Sequence, residues 1–485
     1  MKDEILQLSP RRLWHHFYQL NQVPRGSKKE EKVIAFMVDF GKSLGLETLV
    51  DATQNVLIRK PATHGMENRK AVVLQSHLDM VHQKNAITNF DFDTQGIEMY
   101  VDGDWVKAKG TTLGADNGLG VAAIMSVLEA SDIPHPAIEA LFTIDEETGM
   151  TGAKGLQANF LQGDILLNLD TENDSEIDVG CAGGIDVSAT KSYIEVDVNP
   201  NSTALNIVVN GLNGGHSGMD IHKGLGNANK ILNRLFFETL PFNYSIVEIN
   251  GGSLRNAIPR ESFATIVVQN DNKAAFIEQF NKTSKYIKEE LATMESGLKI
   301  ELYETQLPSK AMERNAQELL IKSIYAAHNG VYRMSADMED LVETSNNIAR
   351  VIVKDGKTQI HCLTRSAVES SKTDLANALK SAFELGGFNV IFTGSYPGWK
   401  PNMQSSILKT MTEVYKNMFQ SNADVVACHA GLECGILGAN YPTMEMISFG
   451  PTINGAHSPD EKASISSTQK FWKFFLEVLK NIPEK

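Results

Sequence analysis

Ala71-Val72-Val73-Leu74-Gln75-Ser76-His77-Leu78-Asp79-Met80 is the stretch on which the reading of this chain turns. An apolar run of strand character ends in a polar tip that carries a histidine and, two residues on, an aspartate. A short run of this kind predicts a buried strand of an α/β sheet. Ligands of open α/β sheets bind beyond the carboxyl ends of the strands, which is where His77 and Asp79 would stand. A lone histidine at a strand end is most often a hydrogen-bonded structural group. The reading therefore depends on what other strands bring to the same edge.

They bring acids. Ala140-Leu141-Phe142-Thr143-Ile144 predicts a strand that stops at Asp145-Glu146-Glu147-Thr148-Gly149, and Ile165-Leu166-Leu167-Asn168-Leu169 another that stops at Asp170. The loop Gly110-Thr111-Thr112-Leu113-Gly114-Ala115-Asp116-Asn117-Gly118-Leu119-Gly120 opens an apolar helix from Val121. Its glycines permit unusual backbone angles and close approach, but it lacks the Gly-Lys-Ser/Thr ending of a phosphate-binding loop. Near the other end, the apolar strand Met444–Phe449 leads to His457-Ser458-Pro459-Asp460-Glu461. Adjacent glutamates at a turn are ordinarily solvated surface; repeated acidic stops at one sheet edge point instead to a site.

Size and composition set the frame. A chain of 485 residues, 42% apolar and 21% charged, is long enough for two or three domains and is not disordered in composition. A formal charge of −14 disfavours nucleic acid and anionic membrane as partners. The N-terminus has no apolar core of signal-peptide length, and no stretch approaches the ~18 apolar residues of a membrane span. Four scattered cysteines (Cys181, Cys362, Cys428, Cys434) suggest buried free thiols and a reducing, cytoplasmic setting.

Texture divides the chain. Helices are predicted over 9–21 and 28–46, the second with Val33, Phe36, Met37, Phe40 and Leu44 on one stripe. Up to about residue 186 and again from 399, the pattern is α/β. Between them, strand-like segments alternate with amphipathic helices, which predicts an inserted α+β domain over 187–398. The expected fold is an α/β mixed central sheet flanked by helices, with this α+β domain inserted. Polar clusters inside the insertion are Gly214-Gly215-His216-Ser217-Gly218, Leu254-Arg255-Asn256-Ala257-Ile258-Pro259-Arg260 and His361-Cys362-Leu363-Thr364-Arg365-Ser366.

The strand-tip residues are His77, Asp79, Asp116, Glu146, Glu147, Asp170 and His457. Mixed imidazole and carboxylate donors suit zinc, cobalt or manganese better than magnesium or calcium. Two histidines and three carboxylates exceed one tetrahedral zinc and match two metals sharing a carboxylate, a recurring arrangement for hydrolysis. The spare carboxylates then have roles as proton shuttle and as orienter of a ligand.

At this point the blocks, which run through nearly the whole chain in order, resemble the co-catalytic zinc metallopeptidases that include carboxypeptidase G, aminoacylase and carnosinase. To the blocks above the resemblance adds His429-Ala430-Gly431-Leu432-Glu433-Cys434-Gly435. It implies one metal on His77 and Asp170, another on Glu147 and His457, and Asp116 bridging them, followed by a cis peptide at Asp116–Asn117. It implies Glu146 as the general base acting on a metal-bridging water, and Asp79 as the residue that orients His77. It implies a catalytic domain of the zinc-exopeptidase kind with the insertion as a lid that often forms a homodimer interface, and from that insertion His216 at the tetrahedral oxyanion, with Asn256 and Arg365 binding substrate. His429 is a candidate pocket residue; His82, His135, His222 and His361 are read as structural.

The expected activity is hydrolysis of unblocked dipeptides, Xaa-His dipeptides such as carnosine among them. The alternative is an N-acyl-amino-acid hydrolase or carboxypeptidase with the same metal ligands. An inert metal-binding protein is disfavoured by the presence of Glu146, and a binuclear phosphoesterase by the absence of an Arg/Lys cluster beside the metal blocks. The chain departs from the nearer dipeptidases at Thr148, where alanine is frequent, and neither glutamate is affected.

Overall fold

Val72–His77 is a strand buried at every position, and it lies in the middle of an eight-stranded sheet. In the computed structural model, which describes residues 2–485, the strands of this sheet in chain order are β1 (Glu47–Val50), β2 (Val56–Lys60), β3 (Val72–His77), β4 (Ile138–Thr143), β5 (Ile165–Asn168), β6 (Glu176–Cys181), β7 (Asp424–Cys428) and β8 (Glu445–Ser448). Their spatial order is β1-β2-β4-β3-β5-β8-β6-β7. β3 runs parallel to β4 and β5, and β8 parallel to β5, whereas β2 against β4 and β8 against β6 are antiparallel. The sheet is mixed, and the carboxyl ends of β3, β4, β5 and β8 share one edge.

The near-continuous apolar runs of these strands follow from burial on both faces. The helix Ala115–Glu129 is apolar on nearly every side, and it packs between β3 and the helix Arg11–Leu20. A Cβ at Gly120 would press on the Ser76 hydroxyl and the Leu169 carbonyl, so glycine there lets the helix lie directly on the strand ends. The stripe expected over 28–46 is the helix Glu31–Ser43, with Val33 and Met37 buried. No helix among the described residues is long and apolar enough to cross a membrane. None of the four cysteines forms a disulfide among the described residues, and Cys181, Cys362 and Cys434 are buried.

The chain folds as two compact units, one of Met1–Cys181, Trp399–Ala427 and Leu432–Lys485, and another of Ala182–Gly398 with Cys428–Gly431. The second unit has a nine-stranded antiparallel sheet, with Lys299–Thr305 at one end, Asn389–Tyr396 at the other and Val342–Lys354 near the centre. The helices Ala228–Thr239, Asn270–Glu290, Arg314–Ala326 and Glu369–Leu385 pack on it around one apolar core. Two boundaries differ from those expected. Residue 186 lies inside the strand Gly183–Ser192, whose pairing with Lys357–Ser366 begins at Gly183, so the unit starts at Ala182. Cys428–Gly431 joins it because the Ala182 N–H donates to the Cys428 and Ala430 carbonyls at 3.0 Å each.

A row of buried polar side chains crosses the first unit's sheet at one level. Gln75, Asn168, Ser448 and Asp178 stand opposite one another on β3, β5, β8 and β6. Gln75 Nε2 donates to Glu433 Oε2 at 2.6 Å, Asn168 Nδ2 to Gln75 Oε1 at 2.5 Å, and the Ser448 hydroxyl to Asn168 Oδ1 at 2.5 Å. Thr171 Oγ1 lies 2.8 Å from Ser448 Oγ and 2.7 Å from Asp178 Oδ2. Each hydroxyl has one proton. Thr171 donates to Asp178, and Ser448 to Asn168. Burial pushes the Asp178 carboxyl at the end of this row up to about 7, against the lowering effect of the Thr171 hydroxyl.

A folded value of about 7 against an ordinary 3.8 means that Asp178 contributes stability fully below 3.8 and loses it as pH rises through 7. Asp178→Asn keeps an acceptor for Thr171 and cannot ionise. In urea melts from pH 4 to 8, the wild type should lose on the order of 3 kcal/mol relative to this variant as pH rises. Parallel pH profiles would show that Asp178 is already ionised in the fold.

Candidate metal centre and active site

Each expected metal-site residue in the first unit follows a strand of the shared edge or opens a helix beside it. His77 ends β3, Glu146 and Glu147 lie on the turn after β4, Asp170 follows β5, and Asp116 is in the first turn of Ala115–Glu129. His457 lies in the loop after β8, between the short strands Ile453–Asn454 and Lys462–Ser464. The peptide bond between Asp116 and Asn117 is cis.

Two groups of donors form, and Asp116 belongs to both: His77, Asp116 and Asp170 in one, Asp116, Glu147 and His457 in the other, with the donor atoms of each within 4.8 Å of one another. His77 Nε2 is 3.1 Å from Asp116 Oδ1 and 3.4 Å from Asp170 Oδ1. His457 Nε2 is 3.2 Å from Asp116 Oδ2 and 2.9 Å from Glu147 Oε2. The two oxygens of one carboxylate thus face the two imidazoles.

The electrostatics call for positive charge at two points. Burial opposes a charge on His77, but Asp170, Asp116 and Asp79 outweigh it and raise the ring well above 6.5. Hydrogen bonds to Asp116 and Glu147 raise His457 to about 11. Burial favours a neutral Asp116, yet the bonds from His457 and His77 hold it below the ordinary carboxylate value. Glu147 Oε1 is buried with no hydrogen-bond partner among the described residues. Two cations held by mixed nitrogen and oxygen donors meet these demands, and the set fits zinc, cobalt or manganese.

Asp79 is fully buried and serves two purposes. Its Oδ1 is 3.4 Å from His77 Nδ1, the ring nitrogen turned away from Asp116. Its two carboxylate oxygens also accept the Glu146 and Glu147 N–H groups at 3.1 and 3.3 Å, and Oδ2 accepts the Ser27 hydroxyl at 2.8 Å. One carboxylate therefore lies beside the His77 ring and receives the turn carrying both glutamates, while His77 Nδ1 itself is 3.1 Å from the Asp79 carbonyl. Thr148 donates its hydroxyl to Asp145 on the same turn. Burial raises the Glu146 carboxyl well above 4.5, with Asp170, Glu433 and Glu147 adding to the effect and His77 opposing it.

His216, Asn256 and Arg365 belong to the second unit. His216 Nδ1 accepts the Gly218 and Met219 N–H groups at 3.2 and 3.1 Å, which puts the proton of the neutral ring on Nε2. Burial and the nearby Arg365 lower its pKa below 6.5. Arg365 is buried on the strand Lys357–Ser366 and donates to the Tyr396 hydroxyl at 2.9 Å. Asn256 is exposed, and its carbonyl accepts the Ser217 N–H at 2.8 Å. His429 is buried against the Ser345 hydroxyl at 2.8 Å. Among the other histidines, His82 stacks on Phe92, His135 bonds the Pro136 carbonyl and His361 the Ser188 hydroxyl.

Sequence reading passed over Ser27, Arg25 and the second task of Asp79. Glu433 and Glu461 stand within recognisable blocks, but the sequence around them assigns neither a role. Only for these two glutamates was there a signal, an acid inside an already recognised block.

The model of Peptidase family M20/M25/M40 matches residues 73–481. The chain is 44% identical over 484 residues to the cytosol non-specific dipeptidase of Escherichia coli strain K12, covering 100% of both. It is similar to the crystal structure of aminoacylhistidine dipeptidase from Vibrio alginolyticus with a TM-score of 0.96 and 43% identity, again covering 100% of each chain. A tripeptidase from Staphylococcus aureus shares the fold alone, at TM-score 0.57 and 17% identity over 98% of this chain and 99% of its own. This chain belongs to Peptidase family M20/M25/M40.

Proposed function

We propose that the chain is a metal-dependent dipeptidase that hydrolyses unblocked dipeptides, Xaa-His dipeptides such as carnosine among them. The observation that carries this reading is the pair of donor groups sharing Asp116, with Glu146 on the turn beside them. Full-length likeness to the dipeptidases of E. coli and V. alginolyticus supports the substrate class.

In this reading His77, Asp116 and Asp170 hold one divalent ion, and Asp116, Glu147 and His457 the other, with zinc the native metal and cobalt or manganese able to replace it. When bound, the two ions supply Lewis acidity to the scissile carbonyl and to the attacking water. Glu146 accepts a proton from that water at its carboxylate and returns it to the amine of the departing amino acid. Asp79 keeps His77 and the Glu146–Glu147 turn in register with each other. His216 offers its Nε2–H to the oxygen of the tetrahedral carbon, Arg365 meets the substrate carboxylate, and Asn256 binds the substrate. The enzyme is cytoplasmic and a homodimer, with the second unit as lid and dimer interface. The word cytosol in the E. coli relative's name supports the compartment, and the family resemblance supports the assembly.

Dipeptides, tripeptides and N-acetyl amino acids assayed against one metal-loaded preparation test the substrate class. Free dipeptides should be hydrolysed best, and chelation should silence all turnover until zinc, cobalt or manganese is restored. A preference for N-acetyl amino acids would make the chain an acylase. Glu146→Gln should retain about two metal ions per chain and lose turnover; near wild-type hydrolysis would remove Glu146 from the base role. His216→Ala should lower kcat on the order of 10²-fold, and an effect confined to KM would make His216 a ground-state binder.

A further inference from the structure

The loop Leu113-Gly114-Ala115-Asp116 has its backbone held from two sides by charged side chains that touch no metal donor atom. On one side stands Glu461, 2% exposed. Its Oε2 accepts the N–H groups of Leu113 and Gly114 at 2.7 and 2.9 Å, and its Oε1 those of Ala115 and Asp116 at 2.7 and 3.3 Å. On the other stands Arg25, 1% exposed. Its Nη2 donates to the Gly114 carbonyl at 2.5 Å, and its Nη1 to the Leu78 and Asp79 carbonyls at 3.1 and 3.2 Å. Asn21 completes the set, donating to the Leu113 carbonyl at 2.9 Å and accepting from Arg25 Nη2 at 3.0 Å. Gly114 is the residue that permits this, with a left-handed φ of 71° and no side chain to meet the guanidinium.

These bonds join three segments. Arg25 ties the tip of β3, just beyond His77, to the Asp116 loop. Glu461 stands four residues after His457 and ties that loop to the same four N–H groups. Asp116 can face both imidazoles only if all three segments keep a fixed spacing, and the side chains of Arg25 and Glu461 span the two gaps. We propose that Glu461 and Arg25 are positioning residues that preorganise the metal centre by fixing the backbone of Leu113–Asp116. The proposal rests on the reading of His77, Asp116, Glu147, Asp170 and His457 as ligands.

Cobalt(II) titration of the chelator-treated full chain, followed by visible absorption and by competition with a chelator, tests it on wild type, Glu461→Gln and Arg25→Lys. Glu461→Gln puts an NH2 against N–H groups that need an acceptor. Arg25→Lys keeps the charge but loses the fork that reaches three carbonyls. Both should bind cobalt about 10–100-fold more weakly, as loss of outer partners does at other metal sites, with an altered cobalt spectrum and circular dichroism unchanged. Wild-type affinity and spectrum in both variants would overturn the proposal. So would failure of both to fold, because the bonds would then serve the fold and not the site. If only one folds, its cobalt affinity and spectrum decide. A wild type that binds no cobalt would refute the ligand reading itself, which separates the two failures.

Discussion

One carboxylate shared between two imidazoles is the constraint from which much of the first unit follows. Asp116 presents Oδ1 to His77 and Oδ2 to His457, while Asp170, Glu147 and Glu146 crowd the same edge. Packing so many acids out of water is unfavourable unless positive charge is concentrated among them. The raised pKa values of both histidines are the protein's own response to that field. A pair of divalent cations answers it more completely, because each supplies two charges at a fixed point.

Geometry this demanding needs a stiff support, and here the support is largely hydrogen bonding to backbone. Asp79 receives two N–H groups of the glutamate turn, and Glu461 receives four from the Asp116 loop. Below them the Gln75–Asn168–Ser448 row joins adjacent strands by side-chain bonds as well as by the ladder. Buried polar groups are tolerated when they are hydrogen-bonded to one another, and Asp178, its carboxyl raised by burial, accepts from Thr171 at the end of this row.

The sheet, the edge where its strands end and the candidate ligands there were legible in the sequence because they share one pattern: a short apolar run that stops at His77, at Glu146-Glu147, at Asp170. His457 was legible through its block and the strand before it. Arg25 and Glu461 were not, because they act on backbone groups, and no side-chain pattern records where a carbonyl or an N–H will lie. The strand Val342–Lys354 was missed for a related reason. Its buried positions Thr344, Ser345, Asn346 and Asn347 are polar, so the apolar alternation that announces a strand is absent. The junctions at Ala182 and Cys428–Gly431 depend on pairing between distant segments, which local texture does not carry.

Chain order separates the two donor groups in time. His77, Asp116 and Asp170 all precede the second unit, so during synthesis they are available together before it has been made. Glu147 waits for His457, which lies beyond the whole insertion, and β8, the strand that leads toward it, can take its place beside β5 only then. Contacts of such long sequence separation form slowly, and until they do, one edge of β5 lacks its hydrogen-bonded neighbour. Closure of the shared donor set therefore waits on a contact made across the whole insertion, with Asp116 common to the group that precedes it in the chain and the group that spans it.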